Sequence, residues 1–513
     1  MRNYIIWIFS TALLLQLASL PAFTADDFDS YRKQQQQAVK QSRDEFQDYK
    51  QKQDSEFAEF LKTQWREFDT FKGKVRINEP KPKQVPVVIP APATLPTLKP
   101  SESSPNIQVK PQPVPPEPVL PKPLPVVAVP VIPPPPPEQP KPKPISSDTL
   151  EIVFYGNPVN FAFDQKWKTY RISGGAKPEA MSAFWTMMSS SNYDPTIKAV
   201  NDARVELKLD DWGYVSLWRE VAGAVQPGRK TEQSLLLWFF LVKSGYDVRV
   251  GYSGSDVHLF VAVKQQVYST KYTKVGNQTY YAVMAVDHGD SIGSFYTYEA
   301  NYPNKLKPLD IRSASTGFTK TVSAQRELVF EHDDKVIKFN IPYDRRLVEY
   351  MGSFPQTEFE LYFDTDGSSL VRQNLVAELK KYTANMEQEV AVNFLLNFVQ
   401  HAFAYKTDND QFGYEKYFFV EESLHFPYND CEDRSVIFAW LVHELLGIKV
   451  LGLVYPGHMT TAVAIKARSG FSTVDYRGDR FVIADPTYIG ALVGMAMPSY
   501  EKLNPKRVVE IQY

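Results

Sequence analysis

Three residues in the C-terminal part of the chain have the types and order needed for nucleophilic acyl chemistry. They are Cys431 in "PYNDCEDRSVIFAWL", His458 in "YPGHMTTAVAI" and Asp485 in "DRFVIADPTYIG". Cys431 is the only cysteine in 513 residues, so it has no internal disulfide partner. Apolar residues follow it on a helical period that ends at Gly447. That pattern puts the thiol at a helix start, where the dipole and free N–H groups favour a thiolate. Asp430, Glu432 and Asp433 oppose this effect if their charges lie near the sulfur, so a useful nucleophile needs a histidine partner. Of the seven histidines, His443 beside Glu444 would begin an H-E-x-x-H zinc motif, but the second histidine position is Gly447. His401 and His425 precede aromatic or apolar residues and suit packing or surface roles. His458 follows the Pro456-Gly457 turn and opens an alternating strand, a boundary from which a side chain can face a helix N-terminus. Asp485 ends an apolar strand that the hairpin "STVDYRGDRFVIAD" can lay beside the His458 strand, with the "RGD" at 477–479 serving as its turn. A carboxylate there is costly to bury unless hydrogen-bonded, and it could fix the imidazole tautomer. Singly, each residue also has a structural reading: a small buried hydrophobe, a turn residue, a strand cap. The ordered set is far more specific.

Across residues 391–497 the motifs "DCEDRSVIFAWLVHELLGI", "YPGHMTTAV" and "FVIADPTYIGALVG" resemble the transglutaminase-like superfamily of papain-related folds. The resemblance implies Cys431 as nucleophile, His458 as general base and acid, and Asp485 as orienting group. It implies a cysteine peptidase or acyl transferase that forms an acyl-enzyme on a protein or cell-wall peptide and requires no cofactor. The backbone N–H of Cys431 is the first oxyanion donor by position; Gln400 and Gln411 are both candidates for a second. Bacterial transglutaminase-like cysteine proteinases carry a similar D-C-E-D run whose acids bind calcium, and Asp430 and Glu432 match those positions. Otherwise these acids face solvent or cap the helix. "DTDGSS" at 364–369 resembles the start of an EF-hand loop, but its twelfth position is Leu375. The competing function is a non-catalytic assembly module of the cell envelope.

The elements that must position these residues recur. "TEQSLLLWFFLVKSGYDVRVGYSGSDVHLFVAV" (231–263) tracks "DRSVIFAWLVHELLGIKVLGLVYPGHMTTAVAI" (433–465): a helix with a central Trp, a Gly stop and two strands. A two-residue gap brings His258 opposite His458, and the place of Cys431 falls around Gly228–Lys230, so the first copy should be catalytically dead. The expected architecture is α+β, with a papain/transglutaminase-like domain over 306–513 and a degenerate copy over 148–305.

The rest of the chain reads as export and tether. Residues 1–25 have the pattern of a secretory signal, with an N-terminal membrane anchor as the alternative, which points to a periplasmic or secreted protein. Over 26–75, "DEFQDYKQKQD", "SEFAEFLKTQW" and "REFDTFKGKVR" repeat at a spacing of eleven, aligning Phe46/Tyr49, Phe57/Phe60 and Phe68/Phe71 on one helical stripe. Such a stripe over 26–72 predicts self-association or docking onto an envelope partner. Residues 76–147 are Pro-rich, with 25 of the 39 prolines between Pro80 and Pro144, and predict an extended spacer. A formal net charge of −2 with balanced acids and bases excludes a polyanion-binding surface, so no nucleic-acid partner is expected.

Overall fold

The computed structural model describes residues 25–71, 81, 84–88, 148–283, 293–299, 302 and 306–512. The signal-like segment and most of the Pro-rich stretch lie outside them. The described chain is α+β. Its two largest sheets are antiparallel, each covered by one long apolar helix. No described helix is long and apolar enough to cross a membrane.

In the first sheet the strands run in the order Trp65–Asp69, Ser294–Tyr298, Val248–Ser253, Asp256–Ala262, Gln278–Tyr281 and Tyr272–Val275. The helix Lys230–Lys243 packs on its central pair. The second sheet has the order Arg507–Glu510, Val450–Tyr455, His458–Val463, Asp479–Ala484 and Thr473–Tyr476, under the helix Cys431–Leu446. Its outer hairpin turns at Arg477-Gly478, so the "RGD" is a turn as expected. In each half a β-hairpin precedes these elements: Asp148–Phe154 with Asn157–Phe163, and Ser323–His332 with Lys335–Asp344. Each hairpin ends at an aspartate, Asp164 or Asp344, that caps the next helix through its side chain.

The central hairpins correct the expected alignment. Val248 pairs with Val261 and Ser253 with Asp256, while Val450 pairs with Val463 and Tyr455 with His458. The two hairpins therefore match residue for residue without a gap, and Asp256, not His258, takes the place of His458. Arg229 and Lys230 stand at the helix start where the second half has Asp430 and Cys431.

The helix Cys431–Leu446 ends at Gly447, whose φ of +64° is the left-handed conformation expected of a C-terminal stop. Trp440 on this helix explains "DTDG". A Cβ on Gly367 would come within 2.5 Å of the Trp440 ring, so the loop is a close packing contact.

At the N-terminus the aromatic repeat divides. The helix spans Ala25–Thr63, but the third repeat leaves it and forms the strand Trp65–Asp69 on the exposed edge of Ser294–Tyr298. Reading 26–75 as helical throughout is thus corrected at its end, because an unpaired sheet edge captures the chain. Phe57 and Leu61 are buried, and the Phe57 ring meets Trp185 edge-on at 4.7 Å and Tyr302 at 5.0 Å. Each such burial contributes roughly 1.5–3 kcal/mol. Asp54 accepts hydrogen bonds from Lys243 and Tyr302 beneath them. Phe46 and Tyr49 remain 61% and 56% exposed, so only the first repeat still presents its aromatic pair to solvent.

One buried cap makes stability depend on pH. Asp210 accepts from Gly213 N at 2.7 Å at the start of the helix Asp211–Val225, and burial pushes its carboxyl up to about 7. The folded protein then keeps a proton that the unfolded chain has lost, so stability falls as pH rises from about 4 through about 7. Asp210→Asn keeps the capping oxygen and removes the buried charge. Its melting temperature is expected to fall less than the parent's between about pH 5 and pH 8 in paired thermal melts.

Candidate functional site

The sequence Asn429-Asp-Cys-Glu-Asp begins the helix through a capping box. Asp430 is the N-cap, and its N–H donates to Asp433 Oδ2 at 3.1 Å. Asp433 Oδ1 also accepts from Phe418 N at 3.0 Å, which fixes the preceding segment against the helix start. Cys431 is thereby set at the first helical position, where backbone N–H groups lack partners within the helix.

The connection to the sheet then brings His458 to the same end. The helix of 16 residues rises ~24 Å and the six-residue strand Val450–Tyr455 spans ~20 Å. Only Gly447 to Lys449 separate them, so the strand runs back along the helix and its hairpin returns near the helix N-terminus. His458 opens the next strand, and its Nε2 lies 2.9 Å from Asp485 Oδ2. Asp485 Oδ1 accepts from Thr487 N at 2.9 Å and Tyr488 N at 3.2 Å, so both carboxylate oxygens are held. Tyr500 stacks on the imidazole at 5.0 Å between centroids. His458 Nδ1 is buried, with no hydrogen-bond partner among the described residues. The carboxylate therefore engages one ring nitrogen and leaves the other available for a proton.

The thiol is held differently. Cys431 Sγ donates to Glu432 Oε2 at 2.8 Å rather than to His458. Burial pushes its pKa well up, and Glu432 and Asp430 push it further, against an opposing effect of Lys81. Burial and the two acids thus all favour the protonated thiol, and the acids do lie near the sulfur. Arg434, one turn along the helix, is buried and feels both Cys431 and Asp485. Burial lowers its pKa to about 10, and its guanidinium donates to the Phe403 carbonyl.

The expected oxyanion donors part ways. Gln400 is buried, and its amide nitrogen donates to the carbonyls of Asp485 at 3.0 Å and Ala491 at 3.1 Å. Its oxygen accepts from Gly490 N at 3.0 Å. Both amide hydrogens are engaged, so Gln400 holds the Asp485 loop and has none left for an oxyanion. Gln411 is half-buried at the end of the short helix Asp408–Gln411.

Asp430 and Glu432 hold a cation, and it comes from the chain itself. Lys81 Nζ lies 2.7 Å from Asp430 Oδ2 and 2.8 Å from Glu415 Oε2, and it also pairs with Glu432. Burial pulls the ammonium's pKa down, but Asp430, Glu432, Cys431 and Asp408 together more than offset this and raise it well above its ordinary value. Beyond this ion cluster, the oxygens of Asp408, Asp430 and Asp433 lie within 4.8 Å of one another. Burial and Asp430 raise Asp408 to about 9 and Glu432 to about 8. Lys81 and Asp408 were not apparent as site residues in the sequence. Lys81 is one of several lysines alternating with proline, and Asp408 sits in an unremarked "TDND". Arg434 stood in plain view beside the cysteine.

Comparisons of the chain with protein-family models, curated proteins and solved structures find no match.

Proposed function

We propose that this chain is an exported thiol hydrolase or acyl transferase acting on amide bonds of a protein or cell-wall peptide. The observation that carries this reading is the buried His458–Asp485 pair, 2.9 Å apart, on the sheet against which the Cys431 helix packs. In this reaction the sulfur leaves Glu432, and His458 Nδ1 accepts the thiol proton. The sulfur attacks the amide carbonyl, and the carbonyl oxygen faces the N–H groups of the first helical turn. The imidazolium gives its proton to the leaving amine, and water or a second amine resolves the thioester. Hydrolysis is preferred in an aqueous compartment.

The fold reading is a papain/transglutaminase-like unit present twice. It is supported by the shared strand order, the gap-free match of the central hairpins and the hairpin that precedes each copy. Lys230 and Asp256 at the matched positions leave the first copy without a thiol or imidazole there. Phe46 and Tyr49 supply the remaining exposed aromatic pair for self-association or docking onto an envelope partner.

The reaction requires no cofactor. Asp408, Asp430 and Asp433 nonetheless form an all-oxygen donor set that suits a hard cation such as calcium, with Glu432 beside them. Calcium bound there would neutralise acids that oppose thiolate formation. The second reading, a non-catalytic scaffold, draws on the thiol's hydrogen bond to Glu432 and its raised pKa. Incubating the full chain with an activated peptide ester, followed by peptide-level mass spectrometry, tests between them. An acyl adduct on Cys431 that persists in excess EGTA is expected. An adduct only with calcium present would make the cation part of the site, and none in either buffer would overturn the enzyme reading.

A further inference from the structure

The acids beside the thiol face a peptide already in place. Lys81 is buried, with its ammonium among Asp430, Glu432 and Glu415 and 5.9 Å from the centre of the Tyr417 ring. A few residues on, the same segment is fixed by backbone bonds. Val88 N donates to the Ile489 carbonyl at 2.8 Å, and Ile489 N donates to the Pro86 carbonyl at 3.0 Å. These bonds form a parallel bridge of Val87 to Ile489, four residues after Asp485. Val88 also packs on Gly490, where an added Cβ would lie 3.4 Å from the Val88 carbonyl. The two sets of contacts are independent. One recognises a cationic side chain at the helix start that carries Cys431, and the other recognises an extended backbone along the loop that carries Asp485. Together they seat one short peptide against both sides of the proposed catalytic centre.

We propose that the pocket formed by Asp430, Glu432 and Glu415 is a specificity subsite for the primary ammonium of an extended peptide, and that Lys81, with Pro86 to Val88 anchored on the Ile489 loop, occupies it in cis as a competing ligand. This rests on the acyl-transfer reading for its meaning as a substrate subsite; the binding itself does not depend on that reading. The bound ammonium is a recognition group and not an attacking amine, because its ion pairs, with Asp430 foremost, favour the charged form. Asp430 Oδ1 has no hydrogen-bond partner among the described residues, so the pocket keeps acceptor capacity beyond what Lys81 uses. Buried carboxylates left without a counter-charge are costly, so a vacated pocket binds a replacement ammonium strongly. Proline at 86 suits the bridge, since its carbonyl is the group used and its missing N–H is not required.

The test is a binding measurement on full-length protein by fluorescence anisotropy, with a labelled synthetic peptide, PKPKQVPVV, that reproduces residues 80–88. The parent chain is expected to bind it weakly, because its own segment competes. Lys81→Met, which empties the pocket, is expected to bind at least tenfold more tightly. The same peptide with Nε-acetyl-lysine at the place of Lys81 should lose at least tenfold on that variant. If Lys81→Met fails to fold in a thermal melt, Val88→Pro replaces it. That variant keeps Lys81, removes the N–H that binds Ile489, and should show the same direction of change. Equal affinity of the parent and a folded variant, or of the amine and acetyl peptides, overturns the subsite. Failure of the acyl-adduct experiment with binding intact would overturn only the enzyme reading.

Discussion

Cys431→Ala is expected to abolish both the acyl adduct and turnover, a loss of at least ~10⁴-fold. The prediction is large because nothing nearby can substitute for the sulfur. The chain has no second cysteine, and Ser435, one turn along the helix, is buried with its hydroxyl bound to the Cys431 carbonyl at 2.7 Å. The fold should tolerate the change. Cys431 is a small buried side chain whose thiol bonds to its neighbour in sequence, so a loss of about 1 kcal/mol is anticipated. Turnover of an activated peptide ester and a thermal melt, made on the same preparation, separate the two effects. Retention of more than a tenth of parental turnover would remove Cys431 from the reaction.

Asp485→Asn should cost nearly as much while changing the structure less. In the parent, Asp485 Oδ2 faces His458 Nε2, so the proton sits on Nε2 and Nδ1 keeps the lone pair that the proposed reaction uses. Asparagine can keep its oxygen on the Thr487 and Tyr488 N–H groups, which leaves its NH₂ facing the ring. The ring must then accept at Nε2 and carry its proton on Nδ1, the tautomer that cannot deprotonate Cys431. A fall in kcat of about 10³–10⁴ with KM little changed is the expected outcome. Kinetics on the folded variant decide the matter: a drop under tenfold would mean that the carboxylate does not set the tautomer.

The site was legible in the sequence where a residue sits at an element boundary with its own local marker. The cysteine follows an N-capping aspartate and precedes a helical period that stops at Gly447. The histidine follows Pro456-Gly457, and Asp485 stands between an apolar strand and Pro486. Such boundaries are set by neighbours a few positions away, so they can be read locally. The same holds for the two sheets, whose alternating strands and Gly-bearing turns announce themselves. What could not be read depends on distance along the chain. Lys81 reaches Asp430 across 349 positions, from a stretch whose composition speaks only of extension. Gln400 offered an amide suited to an oxyanion, and only the fold reveals that the Asp485 loop takes all of it. The third aromatic repeat keeps its period of eleven, yet an open strand edge outweighs a helix that would have left Trp65 and Phe68 uncovered. His258 misled because a histidine in a similar strand is conspicuous, while the pairing of Ser253 with Asp256 is not.

Phe71 pairs through its backbone with Tyr272 in the first sheet, only ten positions before Lys81 enters the acid pocket of the second half. The segment is thus moored on either side of its lysine, by Phe71 upstream and Val88 downstream. A ligand tethered on a short leash acts at an effective concentration in the millimolar range, whatever the amount of protein in solution. Dilution cannot dislodge it, and a peptide arriving from outside must outcompete it at that concentration. Cutting the chain between Phe71 and Lys81 would shift that balance by removing one mooring, making a permanent neighbour easier to displace.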